Sequence, residues 1–372
     1  MNETMAKDSL NTIITKLQAN YDALKKAKVN IAITGQSGNG KSSMINGLLG
    51  KPLAKVGSTE TTFEIKSYAH NGTVLYDLPG CGTPNFPKET YIGKCNLSSY
   101  DAAIIVTANR FMENDLWLIN EMGRLQKPVY VVRTKMDEAT INEQRDNNLN
   151  ELQVFQKVLL DLETNLKDVS VKGIYLISSV FPQKWDFNKL FNDIANNLGD
   201  LKKTRFYSDV ALISDEVLEQ KKKIASDIIT LQSWIAAANG INPIPGLDIA
   251  ADIAILNHLA KEIQELYGLG EDNLIMLNKR INTSSKAGAI KTGIAAFTSK
   301  FIIKEGIVLL LKRLASRIAT KEIVKYIPFI GQAAAAGIGY KLTRSFGEDL
   351  LEDANNIAQE ILEAGAESIG KN

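Results

Sequence analysis

The sequence predicts an α/β domain with a mostly parallel, doubly wound sheet, joined to an all-α helical domain. Three features of the chain point there. Between residues 28 and 201, short apolar runs alternate with stretches of helical periodicity, the pattern of repeated strand–helix–strand units. From residue 202 to 372, helical periodicity continues without strand alternation. The octet Gly35-Gln36-Ser37-Gly38-Asn39-Gly40-Lys41-Ser42 sits between an apolar run at 29–34 and a helical stretch at 43–49.

At 372 residues, 45% of them hydrophobic, the chain is long enough for two globular domains. Lys and Arg number 43 against 42 Asp and Glu, a net charge of +1. That balance supplies no overall attraction to nucleic acid, so no nucleic-acid partner is expected. Cys81 and Cys95 are the only cysteines; they make no disulfide framework and suit a reducing, cytoplasmic compartment. His70 and His258 are far apart in sequence, which disfavours a zinc site or a Ser-His-Asp hydrolase. The polar start has no secretory character, and Asn2 stands where N-myristoylation needs glycine. The longest charge-free run, 228–247, contains Gln232, Asn239, Pro243 and Pro245. A buried helix followed by a turn fits it better than a membrane span.

Taken in order, residues 8–27 place Leu10, Ile13, Ile14, Leu17, Tyr21 and Leu24 at helical spacing. This N-terminal helix, within 1–27, is expected to pack with the helical domain. The α/β domain is expected over 28–201. Within it, 63–69 alternates like an edge strand, 73–77 is a strand, and 102–107 is a continuous apolar run typical of a central parallel strand. A helix is expected over 115–125, a strand at 129–133, a polar helical stretch over 142–165, a last strand at 173–177 and a closing helix at 188–198. The helical domain is expected over 202–372. There, 242–247 and 326–331 echo each other, each breaking the chain with Pro and Gly before an Ala-rich helix. A duplicated helical hairpin and a chance match of turn chemistry both fit. Residues 333–339, nearly all small, permit close helix packing, and Trp234 reads as core.

The chemistry concentrates at the ends of the expected strands. The octet fits G-x-x-x-x-G-K-[ST] in its required strand–loop–helix setting. Its glycines let Gly35, Ser37, Gly38, Asn39, Gly40, Lys41, Ser42 and Ser43 wrap a polyanion with backbone N–H groups. The following helix adds its positive dipole end. Lys41 supplies a charge for the β- and γ-phosphates, and Ser42 a hydroxyl for Mg²⁺. Thr61 or Thr62, in a polar loop, can reach Mg²⁺ and the γ-phosphate. In Asp77-x-x-Gly80, Asp77 would hold Mg²⁺ through water, and the Gly80 N–H would meet the γ-phosphate. In Thr134-Lys135-x-Asp137, the carboxylate can accept from both guanine donors while the lysine stem lies along the base, which selects GTP over ATP. Ser178 and Ser179 form a weaker loop at the base. Together these elements predict a Ras-like P-loop GTPase domain. Cys81 stands where small signalling GTPases place the glutamine that orients the attacking water.

Several stretches go beyond that general pattern. Asp77-Leu78-Pro79-Gly80-Cys81-Gly82-Thr83-Pro84-Asn85-Phe86-Pro87, Thr107-Ala108-Asn109-Arg110-Phe111 with Asn114-Asp115, and Val132-Arg133-Thr134-Lys135-Met136-Asp137 resemble the immunity-related (interferon-inducible) GTPases of the dynamin superfamily. The small-residue stretch after Ile327-Pro328-Phe329-Ile330-Gly331 is similar to the family's C-terminal region. The likeness is strongest over 28–140.

The resemblance implies GTP-dependent self-association across the nucleotide faces, as a homodimer or higher oligomer, and action at membranes through peripheral contact. It implies that Thr62 coordinates Mg²⁺, that Glu60 lies near the attacking water and that Arg110 lies near the dimer face. Each of the last two also has a plainer reading: Glu60 as a solvated loop charge, Arg110 as a local partner of Glu113 or Asp115. Lys41 matches the lysine-bearing branch of the family rather than the methionine-bearing one. Gln36 departs from the glutamate the family carries there, and Asn2 removes the lipid anchor some members use. The function expected is a dynamin-like, Mg²⁺-dependent GTPase activated by dimerisation. The alternative is a slow-hydrolysing, GTP-dependent binding switch that recruits a protein through its helical domain.

Overall fold

The computed structural model describes residues 3–56, 64–108, 113–241, 248–318 and 331–370. The chain divides into two compact units. One contains Lys25–Ser214, Glu271–Ser284 and Gly365–Asn372; the other contains Met1–Leu24, Asp215–Gly270 and Ser285–Ala364.

The first unit is built on a six-stranded sheet in the order β2-β3-β1-β4-β5-β6. Its strands are β1 (Val29–Thr34), β2 (Lys66–His70), β3 (Thr73–Asp77), β4 (Ala102–Thr107), β5 (Val129–Arg133) and β6 (Gly173–Leu176). Only the edge pair β2–β3 is antiparallel. β4 and β5 are buried along their whole length, as expected of strands covered on both faces. Between them run helices α2 (Lys41–Leu49), α3 (Lys88–Lys94), α4 (Glu113–Arg124), α5 (Met136–Asn147) and α6 (Glu151–Asn165), and α7 (Phe187–Asn196) follows β6. Ala32, Tyr91, Cys95, Ile105, Leu118, Met122 and Val131 share one core cluster. The parallel order puts the loops after β1, β3, β4, β5 and β6 at one edge of the sheet, where ligands of such sheets bind.

The polar stretch expected over 142–165 is two helices. Asn148 adopts the left-handed conformation (φ 53°) and ends α5. Two residues later Asn150 starts α6 through a capping box: its side chain accepts from Gln153 N, while the Gln153 side chain accepts from Asn150 N. Each bond satisfies an amide that a helix start leaves unpaired.

The sheet unit also continues past residue 201. α8 (Asp200–Asp209) belongs to it. Asp209, buried, accepts from Gly72 N at 3.1 Å and Thr73 N at 2.8 Å, fixing the entry to β3. Arg205, also buried, pairs with Asp209 one turn away. α11 (Glu271–Ile281), which lies inside the expected helical domain, also belongs to the sheet unit. Its Asn273 amide donates to Gly50 O, the C-cap of α2, at 3.1 Å, and Arg280 donates to Leu212 O at 2.9 Å. Helical periodicity announces a buried face but not which unit buries it, so the boundary moves.

The second unit is helical. It comprises α1 (Glu3–Lys26, to Leu24), α9 (Asp215–Ile241), α10 (Asp248–Leu266), α12 (Ala287–Phe297), α13 (Lys304–Ile318) and most of α14 (Gly331–Gly370). Tyr21 of α1 donates to Glu262 of α10. Lys221, almost fully buried, donates to Leu266 O at 2.7 Å. Phe297 packs tilted against Phe301, and Phe301 edge-on against Phe346, with centroids 5.2 and 5.5 Å apart. Trp234 is half-buried against Tyr340, with centroids 4.7 Å apart. Segments 242–247 and 319–330, which carry the expected internal echo, lie outside the described residues.

Candidate nucleotide site

The loop between β1 and α2 has the backbone its sequence requires. Gly35 has φ 140° and Gly40 φ 80°, conformations that residues with a Cβ rarely adopt. A Cβ on Gly35 would fall 2.1 Å from Val106 O, so the loop can press against β4 only with glycine there. Asn39 adds a hydrogen bond to the same oxygen at 3.0 Å. Gly40 caps α2 without any side-chain acceptor for the first-turn amides. Those amides and the helix dipole therefore face the loop, which suits an anion. Lys41 is buried, and its Nζ donates to Gly35 O at 2.8 Å and Gln36 O at 3.2 Å. The ammonium thus lies over the loop backbone, while Ser37 and Gly38 are exposed and Ser42 and Ser43 half-buried in the first turn of α2.

The Thr134-Lys135-x-Asp137 loop is tied to the glycine loop. Thr134 Oγ1 donates to Asn39 O at 2.6 Å, and Thr134 N to Thr107 O at 2.9 Å. Arg133, buried, donates to Thr134 O at 2.6 Å. Lys135 takes the left-handed conformation (φ 57°) and caps α5, placing Asp137 in that helix's first turn. Met136 N donates to Ile177 O at 3.1 Å, which joins this loop to the one after β6. In that last loop Ser178 is buried, and its Oγ accepts from Val180 N and Phe181 N at 3.1 and 3.2 Å. Its hydroxyl builds the turn, while Ser179 is half-exposed.

Asp77 ends β3 with only 3% of its surface exposed, and its Oδ1 has no hydrogen-bond partner. Burial raises its pKa above the usual carboxylate range, against the pull of Lys41 and Lys66. A buried carboxylate oxygen without a donor is a costly group that a cation would satisfy. The site therefore fits Mg²⁺ held by few protein oxygens plus phosphates, with Ser42 and Asp77 as the described donors. Beyond Asp77 the chain turns sharply. Tyr91 of α3 donates to Pro79 O at 2.7 Å, Asn114 of α4 to Cys81 O at 2.9 Å, and Lys94 to Asn85 O at 3.2 Å. Gly80 lies between the first two of these pinned carbonyls. Burial pushes the Cys81 thiol up to about 11, with Lys88 opposing, so it is protonated at neutral pH and is no base.

Glu60, Thr62 and Arg110, with Thr61, lie outside the described residues. The structure gathers the remaining expected residues along the loops at one edge of the sheet. Sequence reasoning missed Tyr91 and Arg133 as supports of these loops, since each bonds to a backbone oxygen and belongs to no spacing pattern.

A family model described as Interferon-inducible GTPase (IIGP) matches residues 1–361. The chain belongs to the interferon-inducible GTPase family. Membership makes it a GTPase, with GTP and GDP as its nucleotides. Interferon-inducible GTPase 1 of Mus musculus is 32% identical over 270 residues, covering 68% of this chain and 65% of that protein. Interferon-inducible GTPase 5 of Rattus norvegicus is 27% identical over 355 residues, covering 90% of this chain and 76% of that protein. The alignments thus span about two thirds to three quarters of these relatives' lengths. A solved structure titled as a probable GTP-binding protein, engB, aligns with 21% identity and a TM-score of 0.33, covering 45% of this chain and 98% of that one. In this GTPase the glycine loop, Asp77-x-x-Gly80 and Thr134-Lys135-x-Asp137 follow β1, β3 and β5.

Proposed function

We propose that the chain binds GTP with Mg²⁺ and hydrolyses it to GDP and phosphate, faster when two copies meet across their nucleotide faces. One observation carries the second half of that reading. The corner after β3 is pinned by Tyr91 and Asn114, and the residue after Gly80 is Cys81, whose thiol packs against the core and keeps its proton. The described part of the site therefore binds phosphate but does not by itself activate water. In this reading Glu60 or a residue of a second copy completes it, with Arg110 assigned to the face between copies on the family resemblance alone. A group supplied across such a face is worth about 10³ to 10⁵ in rate.

Within one copy, Lys41 and the loop amides stabilise the charge that develops on the transferred phosphoryl group. Ser42, Thr62 and Asp77 would hold Mg²⁺, which would supply positive charge against the phosphates. Asp137 selects guanine, and Lys135 covers the base. Membrane contact in this reading is peripheral; among the described residues no helix is long and apolar enough to cross a membrane. The pinned, base-free corner also favours a second reading, a GTP-dependent switch that hydrolyses slowly and recruits a partner. The test of the main reading is Lys41→Ala. Turnover and GTP-dependent association, followed by phosphate release and light scattering, should both be lost. Unchanged turnover and association would refute it.

A further inference from the structure

The peptide that joins Pro79 to Gly80 is trans, as are all described peptides. A planar trans peptide points its C=O and N–H in opposite directions. Whatever holds Pro79 O therefore also sets where the Gly80 N–H points. Tyr91 holds it: the phenol, fully buried, donates to Pro79 O at 2.7 Å. Its oxygen also lies 3.2 Å from Thr34 Oγ1, and Thr34 is the last residue of β1 before Gly35. The phenol, and more weakly Thr34 Oγ1, which donates to Pro79 O at 3.5 Å, thus tie the stem of the phosphate loop to the peptide that carries the Gly80 amide.

The next turn is fixed separately. Asn114 holds Cys81 O at 2.9 Å, and Gly82 N, the other end of that peptide, donates to Phe86 O at 2.9 Å. Phe86 in turn packs edge-on against the Tyr91 ring, with centroids 6.4 Å apart. Burial raises the Tyr91 phenol well above its ordinary range, so it keeps its proton and remains a donor.

We infer that Tyr91 is a positioning residue for recognition of the γ-phosphate, its hydroxyl fixing the direction of the Gly80 N–H through Pro79 O. This rests on the reading above in which that N–H meets the γ-phosphate. GDP has no γ-phosphate, so the hydroxyl matters for GTP and not for GDP. A tyrosine that served only the core would support both nucleotides alike.

Tyr91→Phe removes the oxygen and keeps the ring. The experiment measures affinity for Mg²⁺·GDP and for a Mg²⁺-bound non-hydrolysable GTP analogue, in parent and variant. The expected result is a GDP affinity within about twofold of the parent and an analogue affinity about fivefold weaker, the size of one neutral hydrogen bond. Equal shifts for both nucleotides, or an unchanged ratio, would overturn the inference and leave Tyr91 a core residue. If the parent itself does not distinguish the analogue from GDP, the γ-phosphate reading fails and this inference with it. Should Tyr91→Phe not fold, Thr34→Val, which removes both a partner of that phenol and the 3.5 Å bond to Pro79 O, decides in its place. A smaller loss of the same ratio supports the inference, and an unchanged ratio overturns it.

Discussion

Replacing Asp77 with asparagine should move stability in opposite directions with and without nucleotide. The carboxylate is 3% exposed, and one oxygen has no hydrogen-bond donor. Burial raises its folded-state pKa. A carboxylate that binds its proton more tightly when folded disfavours the folded protein once it ionises. That cost is absent below the ordinary carboxylate range and grows as pH rises through the raised value. Lys41 and Lys66 recover part of it. An unsatisfied buried polar group costs about 1–3 kcal/mol, so Asp77→Asn, nearly isosteric, should stabilise the nucleotide-free protein by about 1 kcal/mol near neutral pH. With Mg²⁺ and a non-hydrolysable GTP analogue the order reverses. A ligand at 100 times its Kd stabilises by about 2.7 kcal/mol. Groups that hold a metal through water are worth about 10- to 100-fold in affinity. A 100-fold loss would leave only about 0.4 kcal/mol at the same concentration. Thermal unfolding in chelator, then with Mg²⁺ and analogue, at mildly acidic and neutral pH, reads all three effects. If the variant is less stable in chelator, Asp77 makes native bonds that this account lacks. If it keeps the full Mg²⁺·analogue shift, it does not support the metal.

Two other outcomes are expected. Asp137→Asn exchanges an acceptor for a donor opposite the guanine amine. GTP affinity should fall about 10- to 100-fold, while xanthosine triphosphate, with a carbonyl at that position, should gain; competition binding that finds GTP affinity intact would rule out this base loop. Asp209→Ala strands the buried Arg205 guanidinium and the Gly72 and Thr73 amides. Denaturant unfolding should show a loss of about 3–5 kcal/mol, and a loss near zero would mean that α8 does not anchor β3.

Much of the sheet was readable because its central strands are buried on both faces. The apolar runs at 102–107 and 129–133 therefore stand out in the sequence and become β4 and β5. The phosphate loop was readable because a Cβ at Gly35 would fall 2.1 Å from Val106 O and because residues with a Cβ rarely adopt the conformation of Gly40. The break between α5 and α6 carried a local signal, Asn150 with Gln153 three residues on, yet the surrounding polar helical pattern hid it. The allegiance of α8 and α11 had no sequence signal. It depends on Arg205, Asp209 and Asn273 reaching partners distant in the chain, and periodicity does not name partners. Ser178 is a different case. The pattern placed it at the base, and the structure shows its hydroxyl used to fold the turn. Tyr91 was invisible for the same physical reason as α8: its partner is a backbone oxygen that any residue could supply.

The most direct test of the central claim is GTP turnover per subunit over a protein dilution series in Mg²⁺, with Lys41→Ala as the baseline. The pinned corner at Cys81, with its protonated thiol, predicts a slow rate at high dilution that climbs with protein concentration until the nucleotide faces are paired. A rate that is flat across the series and well above the Lys41→Ala baseline would contradict it, because the site would then be complete within one copy.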